Sequence, residues 1–214
     1  MTAGREMPLR ADARRNRDQI IAAARSIFAA SGPDVPMEEI ARTAGVGVGT
    51  LYRRFPDREA LIRAVAVESF ERVLAEARAA VTEEPTAWRA LVKLLYQSVE
   101  LHLSLRLAML SQRALAILKN DESVAGLRDD LLAELDGLVR AAQAEGALRP
   151  DVGTGDLAML FALLLHQHPV CPPEIAEMSA NRSITIMIDG LQAKPGTPLP
   201  GRPLARSDLS ANDA

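Results

Sequence analysis

The chain has a single cysteine, Cys171, so no disulfide can form within it, and this usage fits a reducing cytoplasm. Its longest apolar run, Leu157 to Leu165, falls far short of the ~20 residues that a membrane-spanning helix needs. The opening stretch MTAGREMPLRADARRNR carries arginines with no apolar segment behind them, unlike a secretory leader. Aromatic residues are scarce, at 3%, so a core must be built from aliphatic side chains, and a hydrophobic content of 48% is ample for one. Histidine is nearly as rare. His166 and His168 stand close to Cys171, but the spacing HQHPVC is not a usual zinc pattern and no second cluster supplies further ligands. They read as a helix end with histidines near its free carbonyls and a small apolar thiol. No nucleophile stands beside a base, no carboxylates pair at a workable spacing, and Gly47-Val48-Gly49 does not follow a strand as a nucleotide loop would. The chain therefore does not read as an enzyme and calls for no cofactor.

The net charge of -3 argues, taken alone, against a polyanionic partner, but its distribution points the other way. Through Arg63 there are 11 Lys and Arg against 8 Asp and Glu, a balance of +3, while the remainder carries -6. A basic head on an acidic body is expected when one end of a protein meets nucleic acid.

The passage from Met37 to Leu61, MEEIARTAGVGVGTLYRRFPDREAL, accounts for that head. Met37, Ile40, Ala41 and Ala44 repeat at three and four and give a short helix one apolar stripe. Gly45 can take the left-handed conformation that closes it, and Val46 offers an apolar plug into the angle between two helices. A second short helix follows from Val48 to Phe55, with Leu51 and Phe55 inward and Thr50, Tyr52, Arg53 and Arg54 on other faces. Hydroxyls and guanidinium groups on a helix whose first turn is free of bulk suit a phosphate backbone and a major groove. Pro56 and Asp57 break this helix, and Asp57 can cap the next by accepting from the amide of Glu59 or Ala60.

Together with Ile20, Ala23, Ala24, Phe28 and Gly32 ahead of it and Arg58-Glu59-Ala60-Leu61 behind it, this helix-turn-helix resembles the DNA-binding domain of the tetracycline-repressor (TetR) family of bacterial regulators, over residues 16 to 65. Two positions depart from the pattern. Val35 and Pro36 stand where a Thr or Ser pair is common, and Gly47 where a serine is frequent, so two possible phosphate contacts are missing.

The rest reads as helices. Residues 1 to 11 lack periodicity and are expected to be a disordered arm, although Arg10, Arg14, Arg15 and Arg17 lie where such an arm reaches DNA. A first helix runs from Asp12 to Ser31 and ends at Gly32-Pro33. Arg58 to Val81 is one helix without Gly or Pro, long enough to leave the DNA-binding unit. A helical run from Pro85 to about Asn120 is expected to break near Leu101 to Ser104. Asp121 to Glu145 is amphipathic, with Gly137 in mid-helix costing about 1 kcal/mol against alanine, tolerable where another helix packs closely. Thr154 is expected to cap a helix from Gly155 to His168 that is apolar all round and so buried on all sides. A last helix spans Glu174 to Leu191, and the proline-rich tail beyond Lys194 is expected to stay disordered.

The fold class is therefore all-α. Its expected divisions are an arm (1–11), a three-helix DNA-binding domain (12–57), a helical bundle (58–192) to which the resemblance assigns ligand binding and dimerisation, and a tail (193–214). The resemblance implies a homodimeric cytoplasmic regulator, with no membrane, that binds an inverted-repeat DNA operator, most often as a repressor released by a small effector. It implies DNA contacts from Arg42, Thr43, Gly47, Val48, Gly49, Thr50, Tyr52, Arg53, Arg54 and Arg58. Trp88, Val92, Leu95, Val99 and His102 share one helix face with Tyr96 on its flank. With Met109 and Phe161 they are the candidate lining of an apolar pocket with a few polar handles. The resemblance also implies a four-helix interface formed by Leu127, Leu131, Leu135 and Leu138 with Ile184, Met187, Ile188 and Leu191 from two subunits. The rival reading is a helical small-molecule carrier or enzyme that retains an unused helix-turn-helix.

Overall fold

A computed structural model describes residues 6–97, 112–119, 121–165, 173–194 and 196–210. They form helices α1 (Glu6–Ser31), α2 (Met37–Thr43), α3 (Val48–Arg54), α4 (Arg58–Glu83), α5 (87–97), α6 (Gln112–Lys119), α7 (Glu122–Ala144), α8 (Thr154–Leu165), α9 (Pro173–Leu191) and α10 (Arg206–Ser210). Among the described residues the only extended pairing is an isolated bridge between Leu148 and Gln192. α1 begins at Glu6, so residues expected in a disordered arm are already helical. The expected break near Leu101 to Ser104 lies outside the described residues.

Contacts divide the chain within α4, between Ser69 and Phe70. The first unit holds α1 to α3, the first part of α4, α6 and the start of α7. Ile20, Ile21, Ala24 and Phe28 of α1 are fully buried, as are Ile40 and Ala41 of α2, Leu51 of α3 and Leu61 of α4. Short helices such as α2 and α3 are marginal in isolation and are held by this shared burial. α2 closes as its sequence indicates: Gly45 has φ 68°, its N–H donates to the Arg42 carbonyl at 3.1 Å, and Val46 N–H donates to Ala41 at 3.0 Å. This pair of bonds is a Schellman closure. Asp57 accepts from the amide of Ala60 at 2.7 Å and caps α4.

The second unit holds the remainder of α4, α5, most of α7, and α8 to α10. Its core joins Val73 and Ala77 of α4, Leu91 and Leu95 of α5, Leu135, Leu138 and Val139 of α7, Leu157 of α8, and Ile184, Ile188 and Leu191 of α9. Glu145 accepts from the backbone amides of Ala87 (2.7 Å) and Trp88 (3.1 Å), putting a carboxylate at the N-terminus of α5. Gly146, with φ 70°, ends α7 as expected.

Three expectations for this unit change. Gly137 is exposed, and a Cβ there would meet nothing within 4 Å, so its place in α7 does not reflect close helix packing. Thr154 is the first residue of α8, not its cap. Its hydroxyl donates to Asp136 at 2.7 Å, and Asp156 does the capping by reaching back to the Gly153 amide at 2.7 Å. α8 is not enclosed on all sides, because Met159 (46%) and Leu163 (63%) are exposed. The tail also departs from expectation: residues 196–210 are laid along the unit and end in α10.

Candidate nucleic-acid interface

α3 has one buried residue, Leu51. That single anchor, with Phe55 just beyond the helix, turns the remainder of the helix outward. Gly47, Val48, Gly49, Tyr52, Arg53 and Arg54 are exposed and Thr50 is half-buried. The extended backbone of Gly47, at φ -67° and ψ 143°, starts the helix with no side-chain cap hydrogen bond. Arg53 donates to the Thr50 hydroxyl at 3.1 Å, which pre-orients the guanidinium along the exposed face. Arg42 and Thr43, at the end of α2, are exposed on the same unit. In the arm region Arg14, Arg15 and Arg17 are exposed on α1, with Arg15 4.0 Å from Asp12 and Arg17 3.8 Å from Asp18.

Arg58 departs from the expected set. Its Nη1 donates to the carbonyl oxygens of Pro33 and Val35, so it ties the start of α4 to the loop between α1 and α2. It acts there as a clamp within the domain. Position in sequence beside an exposed helix suggested a DNA contact; the two carbonyls that engage it lie about 24 residues upstream and left no local signal.

In the second unit the candidate pocket residues separate. Leu95 is fully buried in the core, and Trp88 and Val92 are packed half-buried against it. Tyr96 is 40% exposed, with its hydroxyl 2.9 Å from Thr185 of α9. Val99, His102 and Met109, like His166, His168 and Cys171, lie outside the described residues, as does the side chain of Phe161. Among the described residues no group of three or more His, Cys, Asp or Glu is arranged to hold a metal ion.

The expected dimer contacts are largely internal to one protomer. Leu135, Leu138, Ile184, Ile188 and Leu191 are buried in the second unit's own core. Leu131 and Met187 pack half-buried against that core, and Leu127 is half-buried on α7. Side chains already enclosed cannot offer their area to a second copy. The exposed apolar surface of α8 and α9 belongs instead to Met159, Leu163, Met178 and Ile186. Most of it borders a groove of about 600 Å³ that also takes in Arg149, Ser183, Met187 and Leu199.

Residues 20–65 match the family described as bacterial regulatory proteins of the tetR family, and residues 84–193 match the C-terminal domain of SbtR-like transcriptional regulators. The chain belongs to the TetR family. Its relatives include the HTH-type transcriptional regulator UidR of Escherichia coli K12, 30% identical over 167 residues, which are 73% of this chain and 80% of that one. Among solved structures it is similar to the TetR regulator of Mycobacterium vanbaalenii, with TM-score 0.64 and 34% identity over 86% of this chain and 99% of that one. It is similar also to the TetR regulator SCO0520 of Streptomyces coelicolor, with TM-score 0.66 and 30% identity over 84% and 99%. The first TetR match covers α2 and α3 entirely, so the chain is a DNA-binding transcriptional regulator and the rival reading of an idle motif is not favoured. The second ends at residue 193, ahead of the docked tail. No helix among the described residues is long and apolar enough to cross a membrane.

Proposed function

We propose that this TetR-family regulator is a homodimeric repressor that reads an inverted-repeat operator through α3 and leaves it when a small apolar effector binds the second unit. The observation that carries the DNA-reading part is a short helix held by one buried leucine, presenting Val48, Gly49, Tyr52, Arg53 and Arg54 to solvent. The small first turn suits entry into the major groove, while the arginines and the tyrosine hydroxyl suit phosphates on either side. Arg42, Thr43, Gly47 and Thr50 complete the proposed contact set. Arg58 is left out of it because two carbonyls already engage it.

Dimerisation is proposed through a face different from the one expected from sequence. α8 carries apolar residues around its whole circumference, and full burial of such a helix requires a cover that one protomer does not supply for Met159 and Leu163. On α9 the exposed residues Met178, Arg182, Ile186 and Asp189 follow one another at intervals of four, four and three, which makes one stripe along the helix. Two antiparallel copies of α9 crossing near Ile186 set Arg182 against Asp189 of the partner subunit, and the two-fold repeats that pairing. Self-complementarity of this kind is what an isologous contact needs. A two-fold dimer suits an inverted-repeat operator, whose half-sites recur on successive major grooves about 34 Å apart.

The effector is proposed to bind along α5, where Trp88 and Val92 are only half-buried against the core beside Leu95. α4 belongs to both units, so a conformational preference imposed on its second part reaches the domain that carries α3. The effector acts only through unequal affinity for the two conformations.

Sedimentation of Ile186→Asp tests the interface. A buried carboxylate at a two-fold crossing should give monomers, since each copy meets the other's charge. A variant that remains fully dimeric removes α9 from the interface.

A further inference from the structure

The tail is held by an unusually complete set of polar contacts for a segment in which residues 195, 198, 200 and 203 are proline. Arg149, between α7 and α8, donates to both carboxylate oxygens of Asp151 at 2.6 and 2.8 Å, to the Gly190 carbonyl at 3.3 Å and to the Thr197 carbonyl at 3.0 Å. Asp151 accepts in turn from the Leu199 amide at 3.1 Å. Further along, the Leu204 carbonyl accepts from the Gly155 amide at 2.7 Å, while the Leu204 amide donates to Asp156 at 3.0 Å. The approach is so close that a Cβ at Gly153 would lie 2.2 Å from the Leu204 oxygen, and one at Gly155 would lie 2.7 Å from the Leu204 Cβ. Asp208 reaches back to the Ala205 amide at 2.8 Å and starts α10.

These anchors fix one apolar side chain. Leu199 sits on the lining of the groove between α8 and α9, with Met159, Leu163 and Ile186, and remains 42% exposed. Nine large hydrophobic residues are exposed among the described residues, and five of them, Met159, Leu163, Met178, Ile186 and Leu199, lie on α8, α9 or the tail. The groove is not built for an anion, because its basic residue, Arg149, is engaged by Asp151 and two carbonyls. An apolar face of this extent, continuous with the self-complementary stripe of α9, fits a second copy of the chain.

We infer that the C-terminal tail is a third component of the dimer interface: its anchors on Arg149, Asp151, Asp156 and the Gly155 amide hold Leu199 where the partner subunit covers it. This rests on the α8–α9 interface proposed above. The family match for the C-terminal domain stops at residue 193, so the tail adds to that interface a feature beyond the matched segment.

The dimer dissociation constant, measured by sedimentation on the full chain, tests the inference with two variants. Leu199→Ser keeps every backbone anchor and removes only the exposed apolar group. Gly155→Ala improves the helix former but places a methyl group against Leu204, so the tail lifts away. Each should weaken the dimer about tenfold or more, the scale expected for loss of one apolar side chain from each of two subunits. Both variants dimerising like the unmodified chain, while Ile186→Asp is monomeric, overturns the inference and leaves the α8–α9 interface standing. Ile186→Asp remaining dimeric while Leu199→Ser is weakened keeps the tail in the interface and overturns the α9 crossing.

Discussion

The Arg58 guanidinium donates to the carbonyl oxygen of Pro33, joining the first turn of α4 to the loop that ends α1. With the Val35 carbonyl as a second acceptor, one side chain ties α4 to the loop between α1 and α2. Arg58→Ala should therefore lower unfolding stability by about 1 to 3 kcal/mol, the range for loss of hydrogen bonds to a charged group. Urea denaturation measures it. Unchanged stability together with weaker DNA binding and a shallower salt dependence would return Arg58 to the phosphate contacts.

Asp208 gives the tail a pH response. Its carboxyl is held down to about 2 from an ordinary 3.8, first by the side chain of Arg202, which donates at 2.6 and 2.8 Å, and then by the amide of Ala205. The folded value is depressed, so its contribution to the Arg202 pair and to the start of α10 is fully present above about pH 4 and is lost as pH falls toward 2. The NMR shift of the Ala205 amide should titrate in that window, and Asp208→Asn should abolish the transition. An Asp208 carboxyl that titrates at its ordinary value would show that the contact with Arg202 does not persist.

The proposed effector response has a reporter in Trp88, the single tryptophan. An apolar ligand bound beside it should lower operator affinity about 5- to 150-fold, and operator DNA should weaken ligand binding by the same factor. Fluorescence titration with and without operator measures both halves of the linkage. Equal ligand affinity in the two titrations rules out the coupling even if the site is correctly located.

What the sequence made legible was local. The Gly45 closure, the Asp57 cap and the inward pair Leu51 and Phe55 each depend on neighbours within one or two turns, and each stands as its residues indicate. The interface did not follow from the same logic. The strongest apolar stripe of a bundle helix is the one its own protomer buries, as Leu135, Leu138, Ile184 and Ile188 do. The proposed interface uses the weaker stripe that remains exposed, and only the apolar character of α8 hinted at it. The tail was hidden for another reason. A proline-rich composition says that a segment cannot bury much, but not that Arg149, Asp151 and Asp156, some 48 residues earlier, wait to bind its backbone. Gly153 and Gly155 flanking Thr154 were the one visible sign of a close approach.

Titration of the DNA upstream of the protein's own gene, at several salt concentrations and against unrelated duplex, tests the central claim that the face of α3 reads an operator. The account predicts binding to an inverted repeat at least about 10³-fold tighter than to unrelated DNA, with affinity falling steeply as salt rises. Arg53→Ala should cost about 1 to 3 kcal/mol, and Tyr52→Phe should isolate the share of the hydroxyl. Binding that shows no sequence preference, or that neither substitution changes, would contradict it.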